Sequence, residues 1–296
     1  MILFKDSIPE SPKWLLSRDS TEASRQKVVT LFNKIRPSDY NVESEIQVIL
    51  DETKNDANND ATWGEVFACR KAVIIGVGLM FFQAATGINS VVFYSSSIFQ
   101  LAGFSESIIG TAIWTIVNFF MTFVSAKLID QTGRKILILS GTYGMLFSLL
   151  LLSLVLLSPI DGTIQGIIAV LAILLFVAGF AIGLGAVCWT ILSEIMPTRL
   201  RSKAISLFLS VNWGTNLLIA MLTLTAINGL GGVKSDMDDD EQKDAQKVGV
   251  GALYLVFAGV TAASLAFIHL YVPETKGTSI FFLKFFLFVV KHHFVL

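Results

Sequence analysis

Residues 83–97 read QAATGINSVVFYSSS and interrupt an apolar stretch that begins at Ala72. A segment built only to sit in lipid gains nothing from a glutamine, a threonine, an asparagine, a tyrosine and a row of serines. Each polar group costs free energy in hydrocarbon unless it finds a partner. An ideal helix turns about 100° per residue, so relative to Gln83 the side chains of Thr86, Ser90, Tyr94 and Ser97 fall near −60°, −20°, +20° and −40°. They form one narrow stripe, with Asn89 about 120° off it. Two readings follow. The stripe is hydrogen-bonding glue between helices, or it lines a water-filled cavity, with a break at Gly87 turning the amides of Gln83 and Asn89 to one side. The whole set, with Gly87 in its midst, favours the cavity.

The rest of the chain sets this stretch in a membrane. Of 296 residues, 53% are hydrophobic and 15% charged, where soluble domains carry about 25% charge; the mean hydropathy is +0.68. Apolar segments near 72–95, 107–129, 136–157, 165–192, 203–228 and 249–272 each meet the roughly 20 residues needed to cross a bilayer as a helix. The net charge of −1 supplies no basic field, so no nucleic-acid partner is expected. Cys69 and Cys188 are far apart and read as buried small residues. No metal spacing, phosphate loop or catalytic triad is present, so neither an enzyme nor a cofactor is expected.

Lysine and arginine set the orientation. Arg70, Lys71, Lys127, Arg134, Lys135, Arg199, Arg201, Lys203 and Lys276 fall on one side. The other side has none in its first two loops, and its third, GGVKSDMDDDEQKDAQK, carries three lysines among six acids. Both termini and the basic loops are therefore expected in the cytoplasm. The opening MILFKDSI lacks the apolar run of a signal peptide. Residues 1–71 read as a cytoplasmic segment with short helices over 17–50 and a disordered or loose stretch at 51–60, DETKNDANND. Residues 278–296 form a short apolar tail, too short to span.

Further amides and indoles mark other spans: Asn118 in the second, Trp189 in the fourth, and Asn212, Trp213, Thr215 and Asn216 in the fifth. Amides donate and accept at once, and an indole offers a flat apolar face with one donor. No charge sits mid-span to pair with an ionic ligand. The set suits a neutral, hydroxyl-rich ligand.

Five motifs carry a family resemblance. PESPKWL (9–15), QAATGIN (83–89), DQTGRK (130–135), EIMPTRLR (194–201) and PETKG (273–277) resemble, in order and spacing, signatures of the C-terminal half of a sugar porter of the major facilitator superfamily. The resemblance covers about residues 9 to 277. It implies an all-α membrane protein whose residues 72–277 form the C-terminal six-helix bundle. It implies a hexose or polyol carrier working by alternating access in a plasma or vacuolar membrane, with protons as a possible coupling ion. Gln83, Asn89, Asn118, Trp189, Trp213 and Asn216 fall on positions resembling sugar contacts, Asn212 being a weaker case. Tyr94, Gly183 and Gly185 fall on gating positions. Asp130, Arg134, Lys135, Glu194 and Arg201 fall on a cytoplasmic charge network, whose plainer reading is topology setting.

The sequence departs from the family pattern at Ala84, in place of a second glutamine, at Gln131, in place of arginine, and in GLGAVCW (183–189), which has no proline. PESPKWL begins so near Met1 that the six-helix N-terminal half is expected to be missing, leaving a fragment not competent alone. The alternative is a non-transporting half-carrier that senses sugar or pairs with other membrane proteins.

Overall fold

Among the described residues four helices precede the first apolar segment in the computed structural model, which describes residues 10–18, 21–35, 41–58, 61–92, 107–159, 162–234 and 237–276. The chain divides into two units, Met1–Thr62 and Trp63–Leu296. In the first, α1 (Pro12–Arg18), α2 (Glu22–Ile35) and α3 (Val42–Asn58) enclose Leu16, Val28, Phe32 and Ile46. Polar side chains start two of them: Ser11 Oγ accepts the Trp14 N–H at 3.1 Å, and Asn41 Oδ1 that of Ser44 at 3.2 Å, satisfying amides with no partner in the first turn. The α3 helix continues through residues 51–58, where composition alone suggests a loose stretch. Once the apolar first half of α3 is packed, each added residue extends the helix without a new nucleation cost.

In the second unit α4 (Trp63–Ala68) leads into α5 (Arg70–Ala85), followed by α6 (Ser107–Thr132), α7 (Arg134–Leu157), α8 (Gly162–Phe180), a π-helical turn (Ala181–Gly185), α9 (Val187–Ile195), α10 (Thr198–Gly231) and α11 (Asp239–Tyr271). Among the described residues six stretches are long and apolar enough to cross a membrane: Arg70–Val92, Gly110–Thr132, Arg134–Leu157, Thr163–Ile195, Arg199–Gly231 and Glu241–Tyr271. These match the six expected spans. Two differ in detail. The fourth is not one regular helix but changes pitch at the π turn. The sixth starts earlier than hydropathy suggests, because DDEQKDAQ is helical rather than loop: negative residues at a helix start complement its dipole, and Glu, Gln, Lys and Ala are good helix formers. Tyr94, the PESPKWL proline Pro9, Gly277 and the 278–296 tail lie outside the described residues.

Glycines let the spans meet backbone to backbone. A Cβ on Gly141 of α7 would lie 2.5 Å from the Gly179 carbonyl oxygen and 2.6 Å from the Gly183 nitrogen. A Cβ on Gly231 of α10 would lie 2.1 Å from the Ala245 oxygen, and one on Gly249 of α11 the same distance from the Ile227 oxygen. Small residues at such crossings are how helices gain contact in lipid, where no hydrophobic drive joins them. Gly141→Leu should therefore destabilise the bundle by about 1–3 kcal/mol. Gly259→Ala, whose Cβ meets nothing within 4 Å, should be neutral or stabilising by about 0.5–1 kcal/mol. Chemical unfolding in detergent checks both; equal stability of the two variants would contradict the crossing.

Candidate functional site

The α5 helix stops at Ala85 because Gly87 adopts φ +82°, a conformation that L side chains rarely take. A Cβ there would also lie 2.5 Å from the Phe257 ring. Helix resumes over residues 88–92. The break swings Asn89 toward α10, where its Nδ2 donates to Asn216 Oδ1 at 2.6 Å. One turn earlier on α10, buried Asn212 donates to Gln83 Oε1 and to the Met80 carbonyl, both at 3.0 Å. Gln83, 7% exposed, donates in turn to the Leu184 carbonyl at 2.7 Å.

These amides wall a cavity of about 270 Å³. Gln83, Asn89, Asn212 and Asn216 make its polar side; Ala84, Ile88, Phe180, Gly185, Trp189 and Trp213 make the rest. Trp189 and Trp213 are 44% and 69% exposed. The stripe divides as both sequence readings would have it. Gln83 lines the cavity, whereas Ser90 bonds Thr223 of α10 at 3.0 Å and Thr86 bonds the Gln83 carbonyl at 3.1 Å. Thr223 was legible in principle: it stands eleven residues after Asn212, three turns along one face.

Asn118 does not line this cavity. Its helix packs on the π turn, α7 and α8 instead of on α5 or α10. Gly183 does not line it either: the Gly183 Cα and N lie against Gly141, in the close packing that is the plainer use of a glycine. Gly185 does line it. Where the family pattern carries prolines, residues 181–185 form a π turn, a geometry that leaves carbonyls without their regular partners. Two are taken by other helices, Leu184 by Gln83 and Ile182 by Ser125 Oγ of α6 at 3.1 Å. Among the described residues no titratable side chain borders the cavity. The arrangement offers hydrogen-bonding amides on one side and flat apolar faces on the other.

A second polar cluster lies at the helix ends. Arg134 pairs with Glu194 at 3.1 Å and with Asp130 at 3.6 Å. Lys135 is drawn elsewhere, its Nζ donating to the His269 carbonyl at 2.8 Å. Arg199 pairs with Glu65 at 2.7 Å. Arg201 does not join the charge network: its Nη2 approaches the Met196 carbonyl at 3.5 Å and its buried Nε has no partner. Chain direction at the start of α10 turns it back on its own loop.

Sequence spacing alone did not single out Glu274 of PETKG. Its carboxylate accepts the backbone N–H groups of Arg134, Lys135 and Lys276 at 2.9, 3.0 and 2.9 Å. It thereby caps the first turn of α7, where the helix dipole favours negative charge. Gly133, at φ +97°, is the only residue type that fits beneath it, since a Cβ would lie 2.7 Å from Glu274 Oε2. Burial pushes the Glu274 carboxyl up, but backbone N–H bonds from Lys276, Arg134, Lys135 and Thr275 outweigh it and hold the group below its ordinary value.

Six bilayer-length helices about a half-open, amide-lined cavity make this a multi-pass membrane protein of the transporter class. The chain belongs to the sugar (and other) transporter family, whose profile matches residues 1–283. It is 32% identical to the plastidic glucose transporter 4 of Arabidopsis thaliana over 92% of this chain and 46% of that one. It is 33% identical to the facilitated trehalose transporter Tret1 of Bombyx mori over 92% and 51%. Among solved structures it superposes on the proton:xylose symporter XylE bound to 6-bromo-6-deoxy-D-glucose, with a TM-score of 0.69 and 25% identity, covering 96% of this chain and 55% of that one. The match is to the C-terminal half of a sugar porter of the major facilitator superfamily, and the chain spans about half the length of the curated relatives it matches. These relatives are carriers, not enzymes.

Glu274→Ala should cost about 1 kcal/mol, as loss of a helix cap does. The lowered carboxyl gives stability that is present in full above the unfolded value of about 4.3 and is lost as pH falls through the lower folded value. Unfolding followed between pH 7 and pH 3 should show a downward limb in the wild type that is shallower in Glu274→Ala; parallel curves would contradict the cap.

Proposed function

We propose that this chain is one half of a carrier that moves a neutral monosaccharide or polyol across a membrane by alternating access, and that it does not transport alone. The observation that carries the reading is the cavity walled by Gln83, Asn89, Asn212 and Asn216 with Trp189 and Trp213 beside it. Amides pair with hydroxyls, and indoles pack on the C–H faces of a sugar ring. The names of the relatives point to the same chemical class: glucose, trehalose, xylose.

A six-helix partner half follows from what lipid cannot do. Only 6% of the 18-residue apolar window within Gly110–Thr132 and 17% of that within Arg199–Gly231 is buried, against 50–61% in the other four spans. Lipid covers Phe119, Leu217 and Leu218, but it cannot satisfy exposed Asn89 or an open polar cavity. An N-terminal half facing the cavity would. Coupling to protons would rest on groups outside the described lining, which holds no titratable side chain among the described residues. With both termini cytoplasmic, in a plasma or vacuolar membrane, the Arg134–Glu194 pair would brace the cytoplasmic ends, while Tyr94 and the π turn holding Gly185 would serve as gates. All four cavity amides come from this chain, which also suits a half-carrier that binds sugar as a sensor without moving it.

Joined to the N-terminal half of a related sugar porter, the chain should take up labelled D-glucose or D-xylose. Gln83→Ala should raise half-saturation a few-fold to about tenfold, the loss of one hydrogen bond to a neutral partner. In liposomes the chain alone should give no saturable uptake. Saturable uptake by the solitary chain would overturn the half-carrier reading; unchanged half-saturation for every hexose and polyol tried would remove Gln83 from the site.

A further inference from the structure

The four cavity amides are bonded head to tail, and the order has a direction. Asn89 donates to Asn216, Asn216 to Asn212, Asn212 to Gln83, and Gln83 to the Leu184 carbonyl, over 2.6, 3.2, 3.0 and 2.7 Å. The last acceptor belongs to the π turn. The relay thus runs from the exposed end of the cavity to the one irregular turn in the fourth span. In surroundings of low dielectric, hydrogen bonds in series polarise one another, so a change at one end is felt along the chain.

Asn212 occupies the middle and differs from its neighbours. It is 8% exposed, its nitrogen serves both Gln83 and the Met80 carbonyl, and its oxygen accepts from Asn216. Both ends of its amide are used within the protein. We propose that Asn212 is a positioning residue: it holds Gln83 on the Leu184 carbonyl, so that filling the cavity at the Asn89–Asn216 end loosens the π turn. Only the identity of the ligand rests on the sugar reading. A hydroxyl that captures the Asn216 amide withdraws the donor from Asn212 Oδ1. Asn212 then keeps only its donor bonds to the Met80 carbonyl and to Gln83 Oε1; with its own acceptor idle, its N–H bonds are less polarised, the hold on Gln83 loosens, and the bond to Leu184 weakens. The irregular turn, which lacks the family's prolines, thereby acquires a switchable partner in place of a built-in kink.

The test uses the full chain in lipid nanodiscs with ¹⁵N on glutamine side chains, the Gln83 signal being assigned by its loss in Gln83→Leu. Asn212→Leu keeps bulk but removes both polar ends. It should shift the Gln83 signal and speed solvent exchange of its side-chain protons a few-fold to about tenfold. Asn212→Gln should return the signal toward the wild type, and Asn89→Ala, two links away, should move it less in the same direction. A Gln83 signal indifferent to Asn212→Leu and Asn89→Ala overturns the relay; if Asn212→Leu does not fold, Asn216→Leu carries the same test one link further out. Titration with D-glucose and D-xylose, followed by tryptophan fluorescence, separates the two claims. Sugar that binds and moves the Gln83 signal in the wild type, but moves it less in Asn216→Leu, supports the relay over direct contact. Sugar that binds without moving it overturns the coupling and leaves the sugar reading standing. If neither sugar binds while Asn212→Leu still moves Gln83, the relay stands and the sugar reading falls.

Discussion

An amide in a bilayer must find a partner inside the protein, and most of the site follows from that demand. Gln83 sits in the first span with oil on its outer side, and its two polar ends are met by Asn212 and by the Leu184 carbonyl. The second bond is available because the π turn leaves that carbonyl without a regular helical partner. The first is available because α10 packs on α5 with Asn212 inward. A straight α5 would aim Asn89 away from both, so the left-handed glycine at 87 is what brings a fourth amide into the set.

A different economy rules the helix ends. There one carboxylate, Glu274, replaces two missing backbone acceptors at the start of α7, accepts the Lys276 N–H as well, and ties the segment after α11 to α7. The Arg134 side chain extends from the same turn to Glu194 in the last turn of α9 and to Asp130 in the last turn of α6. Three chain segments distant in sequence are thus joined by three carboxylates, an arginine and a glycine that leaves room for them.

Much of this was legible in the residues. Six spans follow from hydropathy, because in lipid every backbone group must be bonded within its own helix. The polar stripe and Gly87 pointed to the cavity, because helical spacing fixes which side chains share a face and only glycine readily takes the turn. The π turn was not legible: hydropathy sums do not sense helix pitch, and its carbonyls are held by Gln83 and Ser125 from other helices. Asn118 stands in α6, which packs on the π turn, α7 and α8; hydropathy gives its depth in a span but not its neighbours. Asn212 looked the weaker contact on resemblance, and only its burial shows that its bonds are internal. Glu274 hid in a surface motif because its partners are backbone amides 140 residues away, which no local pattern records.

The break at Gly87 carries the account, and binding to a Gly87→Ala variant tests it most directly. In a carrier completed with a related N-terminal half, D-glucose and D-xylose titrations read by the fluorescence of Trp189 and Trp213 should show binding weakened by about tenfold or more, since Asn89 leaves the site and a bond is lost with it, while the helical spectrum is retained. A folded Gly87→Ala carrier that binds both sugars as tightly as the wild type would contradict the account.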